Sequence, residues 1–183
     1  MNTKLVFALA MTSALAAGSA MASEGIVTFT GEVTDVTCVI SGGEGTDGAV
    51  GDITVALQPV NANSLDAAGK SVGTKRFDIL VDNGAGQPCQ SATKATFGFK
   101  NTSLNIDPTN GNLNNTLAGE SNAQLRILDQ DLATPIDLRI ASTKEVDPSV
   151  AGARFIYGVQ YFAKDVTTVG QVKTNVEYAV TYQ

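Results

Sequence analysis

Three groups of residues have the types and spacing of chemical sites. Gly43-Glu44-Gly45-Thr46-Asp47-Gly48 spells G-x-G-x-x-G, the pattern with which a dinucleotide-binding loop opens a helix onto a pyrophosphate. Ser91-Ala92-Thr93-Lys94 spells the S-x-x-K of serine acyl-enzymes. Asp129, Asp131 and Asp137 fall within nine positions, close enough to suggest a calcium site or a glycosidase pair. None of the three carries through. The glycine motif runs into the strand-like Ile53-Thr54-Val55, and Glu44 and Asp47 would repel phosphate. The Ser-Lys pair lacks a companion S-D-N or K-T-G element and sits before a strand, whereas the nucleophile of that chemistry starts a helix. No ordered ligand loop surrounds the aspartates, which read as turn and strand-edge charges that keep a sheet soluble.

The wider composition excludes more. The chain has 183 residues with no His and no Trp, and its 18 Asp+Glu against 12 Lys+Arg leave a net charge of −6. Without imidazole it lacks the commonest general base and metal ligand. Without a positive field it has nothing to gather phosphates, so nucleic acid is not an expected partner. An enzyme, a metal site and a bound cofactor are all disfavoured.

The first 22 residues read as a signal peptide. Lys4 gives the positive start, Leu5 to Ala17 is an apolar run of small and aliphatic residues, and Ala20-Met21-Ala22 supplies an A-x-A cleavage site. The apolar run is shorter than the roughly 20 residues a membrane-spanning helix needs. An exported product beginning at Ser23 is expected, without a membrane span. Export places Cys38 and Cys89, the only cysteines, where disulfides persist, and they are read as one bridge.

What must hold these residues is a set of strands. From 172 to 182 the even positions are Val, Thr, Val, Tyr, Val and Tyr, while the odd ones are Lys173, Asn175, Glu177, Ala179 and Thr181. That is a period of two, with one face for a core and one for water. Val27, Phe29, Gly31 and Val33 alternate likewise with Thr28, Thr30 and Glu32, as do Phe77, Ile79 and Val81. Further strands are expected at 36–40, 52–57, 94–100, 124–128, 136–141 and 154–163. Turn chemistry separates them: the glycine-rich run 42–51, Asp82-Asn83-Gly84, Asn110-Gly111, Thr134-Pro135 and Asp147-Pro148. Residues 65–68 are expected to form at most one short turn. The asparagine-rich stretch 101–122 reads as a surface loop. The fold class is all-β, an antiparallel immunoglobulin-like sandwich.

Read together, the two ends resemble the pilin subunits of Gram-negative fimbriae assembled by the chaperone-usher route, in particular major type 1-like subunits. Gly25-Ile26-Val27-Thr28-Phe29-Thr30-Gly31-Glu32-Val33, followed by Cys38, looks like that family's N-terminal extension. Gly170, fourteenth from the C-terminus, and the penultimate Tyr182 look like its terminal signature, and Leu125-Arg126-Ile127-Leu128-Asp129 like its I-x-I-L-D strand. The stretch between the cysteines is longer than in type 1 subunits, and the 42–51 loop is where the extra residues are expected.

The resemblance implies an incomplete immunoglobulin-like sandwich completed by a donor strand from a neighbouring subunit. On that reading residues 1–22 are the signal peptide, 23–35 the donor-strand extension and 36–183 the pilin domain. Val27, Phe29, Gly31 and Val33 form the donated face. Gly170, Val176, Tyr178, Val180, Tyr182 and Gln183 form the acceptor groove and the chaperone contact. The implied partners are other copies of the chain in a head-to-tail polymer, a periplasmic chaperone and an outer-membrane usher, and the implied location is a fimbria reached through the periplasm. A minor fimbrial subunit or adhesin, or a secreted sugar-binding sandwich, is the competing reading.

Overall fold

A computed structural model describes residues 38–183; the leader and the donor-strand residues Val27, Phe29, Gly31 and Val33 lie outside the described residues. Among the described residues, seven strands form two antiparallel sheets. The first sheet contains β1 (Val39–Gly42), β2 (Ser71–Asp82), β4 (Gln124–Leu128) and β6 (Arg154–Phe162), in the order β1-β2-β6-β4. The second contains β3 (Ala95–Phe99), β5 (Thr143–Val146) and β7 (Tyr178–Tyr182), in the order β5-β3-β7. Alternation explains the packing. Phe77, Ile79 and Val81 of β2, Leu125 and Ile127 of β4, and Phe155, Tyr157 and Val159 of β6 meet Ala95 and Phe97 of β3 in one core between the sheets. Phe97 is the hub, with the rings of Phe99, Phe155, Tyr157 and Tyr178 at 5.1–5.6 Å, in the range where aromatic pairs add to area burial.

Cys38 and Cys89 form a disulfide with a Cα–Cα distance of 5.3 Å. It ties the start of β1 to the loop before β3. Closing a loop of 51 residues restricts the unfolded chain by about 4 kcal/mol in the loop-entropy picture.

The glycine-rich run 42–51 is a loop laid along β2, with Gly43 N donating to Asp78 O (2.8 Å) and Asp78 N to Glu44 O (2.9 Å). Gly45 has φ +80°, and a Cβ there would come within 2.2 Å of Arg76 O, so only glycine fits. The motif serves close backbone packing and opens no helix. Beneath it Asp78 is fully buried, held by Arg76 Nε and Nη2 (2.9 Å each) and by Arg154 (3.3 Å).

Several expected elements differ. Residues 136–141 form a turn, because Asp137 accepts from the Arg139 amide (3.0 Å) and binds its guanidinium (2.6 Å), and Ile140 is turned outward. The strand actually present nearby is β5, Thr-Lys-Glu-Val at an edge, where Val146 alone packs on the core, too little apolar alternation to announce itself. The short helical turn is a 3-10 helix at Ala62–Leu65, just before the expected position, with Asn61 capping Asn63 N (2.9 Å). The 52–57 and 171–177 stretches are extended, and neither joins a ladder among the described residues.

Candidate functional site: a two-edged apolar groove

Those two unladdered stretches define the site. Along 171–183, side chains at even positions are half-buried and those at odd positions exposed, the alternation expected of a strand on a core. Val172, Val176, Tyr178, Val180 and Tyr182 pack against the core cluster, and so do Ile53, Val55 and Leu57 from the other stretch. Their order in space is antiparallel. At one end the Tyr178 hydroxyl donates to Gly51 O (2.5 Å), while its ring stacks on Phe97. At the other end Gly170, Gln171 and Val172 line a cavity of about 380 Å³ with Leu57, Pro59 and Val60. The two edges therefore run side by side, sharing a floor of aromatic side chains.

Their hydrogen bonding is one-sided. Most outward main-chain groups of 171–177 are met by Lys100 and the asparagine-rich loop, largely through side chains. Asn115 donates to Gln171 O (2.7 Å) and accepts from Lys173 N (2.9 Å). The Thr116 amide and hydroxyl donate to Lys173 O (2.8 Å each), Asn105 donates to Asn175 O (3.1 Å), and Lys100 N to Glu177 O (2.8 Å). On the facing stretch, Thr54 exchanges bonds with Asp47, and Ala56 O accepts from Lys75 Nζ (2.8 Å). By contrast, the main-chain groups of Val172, Thr174 and Val176, and of Ile53, Val55 and Leu57, meet no hydrogen-bond partner among the described residues. Each edge thus has a largely bonded outer side and an inner side without partners among the described residues, the arrangement that accepts an added strand.

Gly170 starts the longer edge at φ +154°. A Cβ there would lie 2.5 Å from Ser121 N and 2.7 Å from a Glu120 carboxylate oxygen, the same oxygen that accepts from Gln171 N (2.7 Å). At the far end, the main-chain oxygen of Gln183 accepts the amides of Thr93 (2.8 Å) and Lys94 (3.0 Å), which anchors the last residue to the start of β3. Burial, aided by the charge of Asp52, raises the Tyr178 pKa; burial likewise raises that of Tyr182. Both stay protonated donors near neutrality. The Tyr182 hydroxyl and the Thr174 hydroxyl are buried with no partner among the described residues.

Of the expected site residues, the structure brings Gly170, Val176, Tyr178, Val180, Tyr182 and Gln183 onto one edge. Sequence reasoning missed the second edge: 52–57 reads as one more strand, and nothing local says which strand it fails to pair with. It also missed the role of 101–122. This stretch is half interior, with Ile106, Asp107, Asn112 and Leu113 buried. Gln124 donates to Asp107 (2.6 Å) and Asn114 (2.8 Å) and accepts from Asn110 (2.8 Å), while Lys164 reaches Asp107 (2.7 Å). The density of asparagine, a side chain that imitates the peptide group, was the available signal.

The other motifs have local explanations. Lys94 pairs with Glu145 (3.4 Å) and precedes a strand. Asp129 pairs with Lys144, Asp131 closes its own turn onto Thr134, and Asp137 holds Arg139. Among the described residues no group of three or more Asp, Glu, Cys or His could hold a metal ion, and no helix is long and apolar enough to cross a membrane.

No protein-family model matches the sequence. The chain is 34% identical to the F17 fimbrial protein of Escherichia coli over 98% of its own length and 99% of the relative's. It is 30% identical to the major fimbrial subunit SMF-1 of Stenotrophomonas maltophilia, over 90% of its length and 95% of the relative's. Among solved structures, the CupB6 tip adhesin of Pseudomonas aeruginosa superposes with a TM-score of 0.51 at 11% identity, over 66% of this chain and 33% of that one; the likeness is one of fold. An all-β sandwich with an unpaired edge groove, and near-full-length identity to two fimbrial proteins, lead to one conclusion: the chain belongs to the family of fimbrial subunits and is a structural component of a fimbria.

Proposed function

We propose that the groove receives residues 25–33 of another copy of this chain, so that subunits polymerise head to tail by donor-strand exchange. The observation that carries this is the pair of facing edges, apolar inward and unpaired toward each other. An added strand supplies backbone partners to both edges at once, and its alternate side chains enter the core. The contact is heterologous and does not close on itself, so it makes a filament.

Residue chemistry supports one register. On the groove's longer edge every inward side chain from 172 to 182 is apolar or aromatic except Thr174. That hydroxyl is buried with no partner among the described residues, so the position suits a donor residue that presses no apolar side chain onto it. On the donated face the one residue without a side chain is Gly31. With Gly31 opposite Thr174, only an antiparallel donor keeps Val27, Phe29 and Val33 over the groove, opposite Tyr178, Val176 and Val172. A parallel donor would put Val27 at Gly170, beyond the apolar edge. Burying each of the three donor side chains contributes about 1.5–3 kcal/mol.

The resemblance to chaperone-usher subunits supports a periplasmic chaperone as the earlier occupant of the same edge, with its contact reaching Gln183, and an outer-membrane usher as the site of exchange. The same resemblance supports export by the 1–22 leader, and a non-enzymatic role on the cell surface. Deleting residues 23–34 tests the reading: subunits should accumulate folded yet make no fibres in electron micrographs. Long fibres from the deletion variant would overturn it.

A further inference from the structure

Two valines stand exposed beside the groove's cavity end, Val166 at 60% and Val169 at 87% relative exposure. They belong to a loop that is well fixed: Thr167 N donates to Leu65 O (3.0 Å), Asn122 donates to Val166 O (3.0 Å), and Thr168 N donates to Asn122 (2.8 Å). Val169 itself lines the cavity together with Gly170 and Val172. A fixed loop that holds apolar side chains in water is a surface to be covered.

The chain's own length says what covers it. In the register above, which this inference rests on, the donor's Val33 lies at the cavity end, opposite Val172. Five residues later comes Cys38, bonded to Cys89 and followed at once by β1. Five residues of extended chain span at most about 18 Å. The body of the donating subunit must therefore sit directly against the cavity end of its acceptor. The part nearest is its Cys38–Cys89 end, where Cys89 N donates to Pro148 O (2.8 Å) and Val150 is 56% exposed.

We propose that Val166 and Val169 form a second contact between consecutive subunits, docking against the Cys38–Cys89 end of the next copy, with Val150 as its exposed apolar counterpart. The donor strand gives the link its strength. This contact fixes the angle at which successive subunits follow one another.

The test uses the full chain with one added cysteine, V169C, and in parallel V166C, the native pair remaining oxidised. Maleimide labelling is timed on isolated subunits and on assembled fibres. The labelling rate should fall at least tenfold in fibres for both variants; an unchanged rate would overturn the contact. The doubly substituted V33C/V172C fibres serve as companion. If these form intermolecular disulfides while the V169C fibres label as fast as isolated subunits, the second contact alone is wrong. If they form none, the donor register is wrong and this contact goes with it.

Discussion

Asp107 offers a stability measurement whose size follows from its surroundings. Its side chain is 3% exposed. Burial by itself would raise its pKa, but hydrogen bonds from Lys164 Nζ (2.7 Å), the Thr109 amide (2.7 Å) and Gln124 (2.6 Å) outweigh this and bring it to about 2 from an ordinary 3.8. A carboxylate depressed on folding stabilises the native state fully above its unfolded pKa, and the contribution is lost as pH falls through the folded one. The gap corresponds to about 2 kcal/mol. D107N should therefore be less stable than wild type by about that much at pH 7, a urea midpoint lower by about 1 M. The two proteins should converge as pH falls from about 4 to about 2. Other depressed aspartates, Asp131 among them, are present in both and cancel in the difference. Because the Asp107 network seats the loop whose Asn105 and Asn115 hold the longer groove edge, D107N should also form fewer fibres. Parallel pH profiles for the two proteins would refute the assignment.

Two substitutions probe the groove itself. Y178F keeps the ring on Phe97 and removes the bond to Gly51 O; it should cost about 1 kcal/mol, and release of a peptide of residues 25–33 should quicken about fivefold. Y178A, which also removes the ring, should cost about 3–5 kcal/mol, and a Y178F protein indistinguishable from wild type would show that the hydroxyl does nothing specific. G170A forces a Cβ toward Ser121 N and Glu120, so periplasmic subunit levels should drop several-fold. Wild-type levels would mean that the turn relaxes freely.

How much of this the sequence disclosed depended on the range of the forces involved. The face of 172–182 was legible because a strand on a core imposes a period of two on its own residues. The same held for β2, β4 and β6, and the disulfide followed from there being two cysteines in a chain whose first 22 residues read as an export signal. Residues 136–141 misled because Ile136, Leu138 and Ile140 alternate like a strand, while a short-range event, Asp137 closing on Arg139, decides the backbone. The opposite failure occurred at 52–57. Ile53, Val55 and Leu57 alternate as a strand should, but what makes them one wall of a groove is a missing partner, and that depends on where residues 171–178 lie. The bond between Tyr178 and Gly51 joins residues 127 positions apart and has no local signature. The asparagine network is similar: each Asn reads as a turn former, and only the fold brings them together against Gln124 and the 171–177 main chain.

Donation between subunits is tested most directly by trapping it. Val33 and Val172 are to be replaced by cysteine in the full chain, and fibres run on a denaturing gel without reductant. Directly opposed residues of antiparallel strands place their Cα atoms about 4.5–5.5 Å apart, within the range of about 4.4–6.8 Å that disulfides span. A ladder of covalent multimers that collapses to monomer on reduction is the predicted result. Fibres that assemble normally yet yield monomer alone, or that ladder only with cysteines at Val27 and Val172, would contradict the register and orientation derived from the groove.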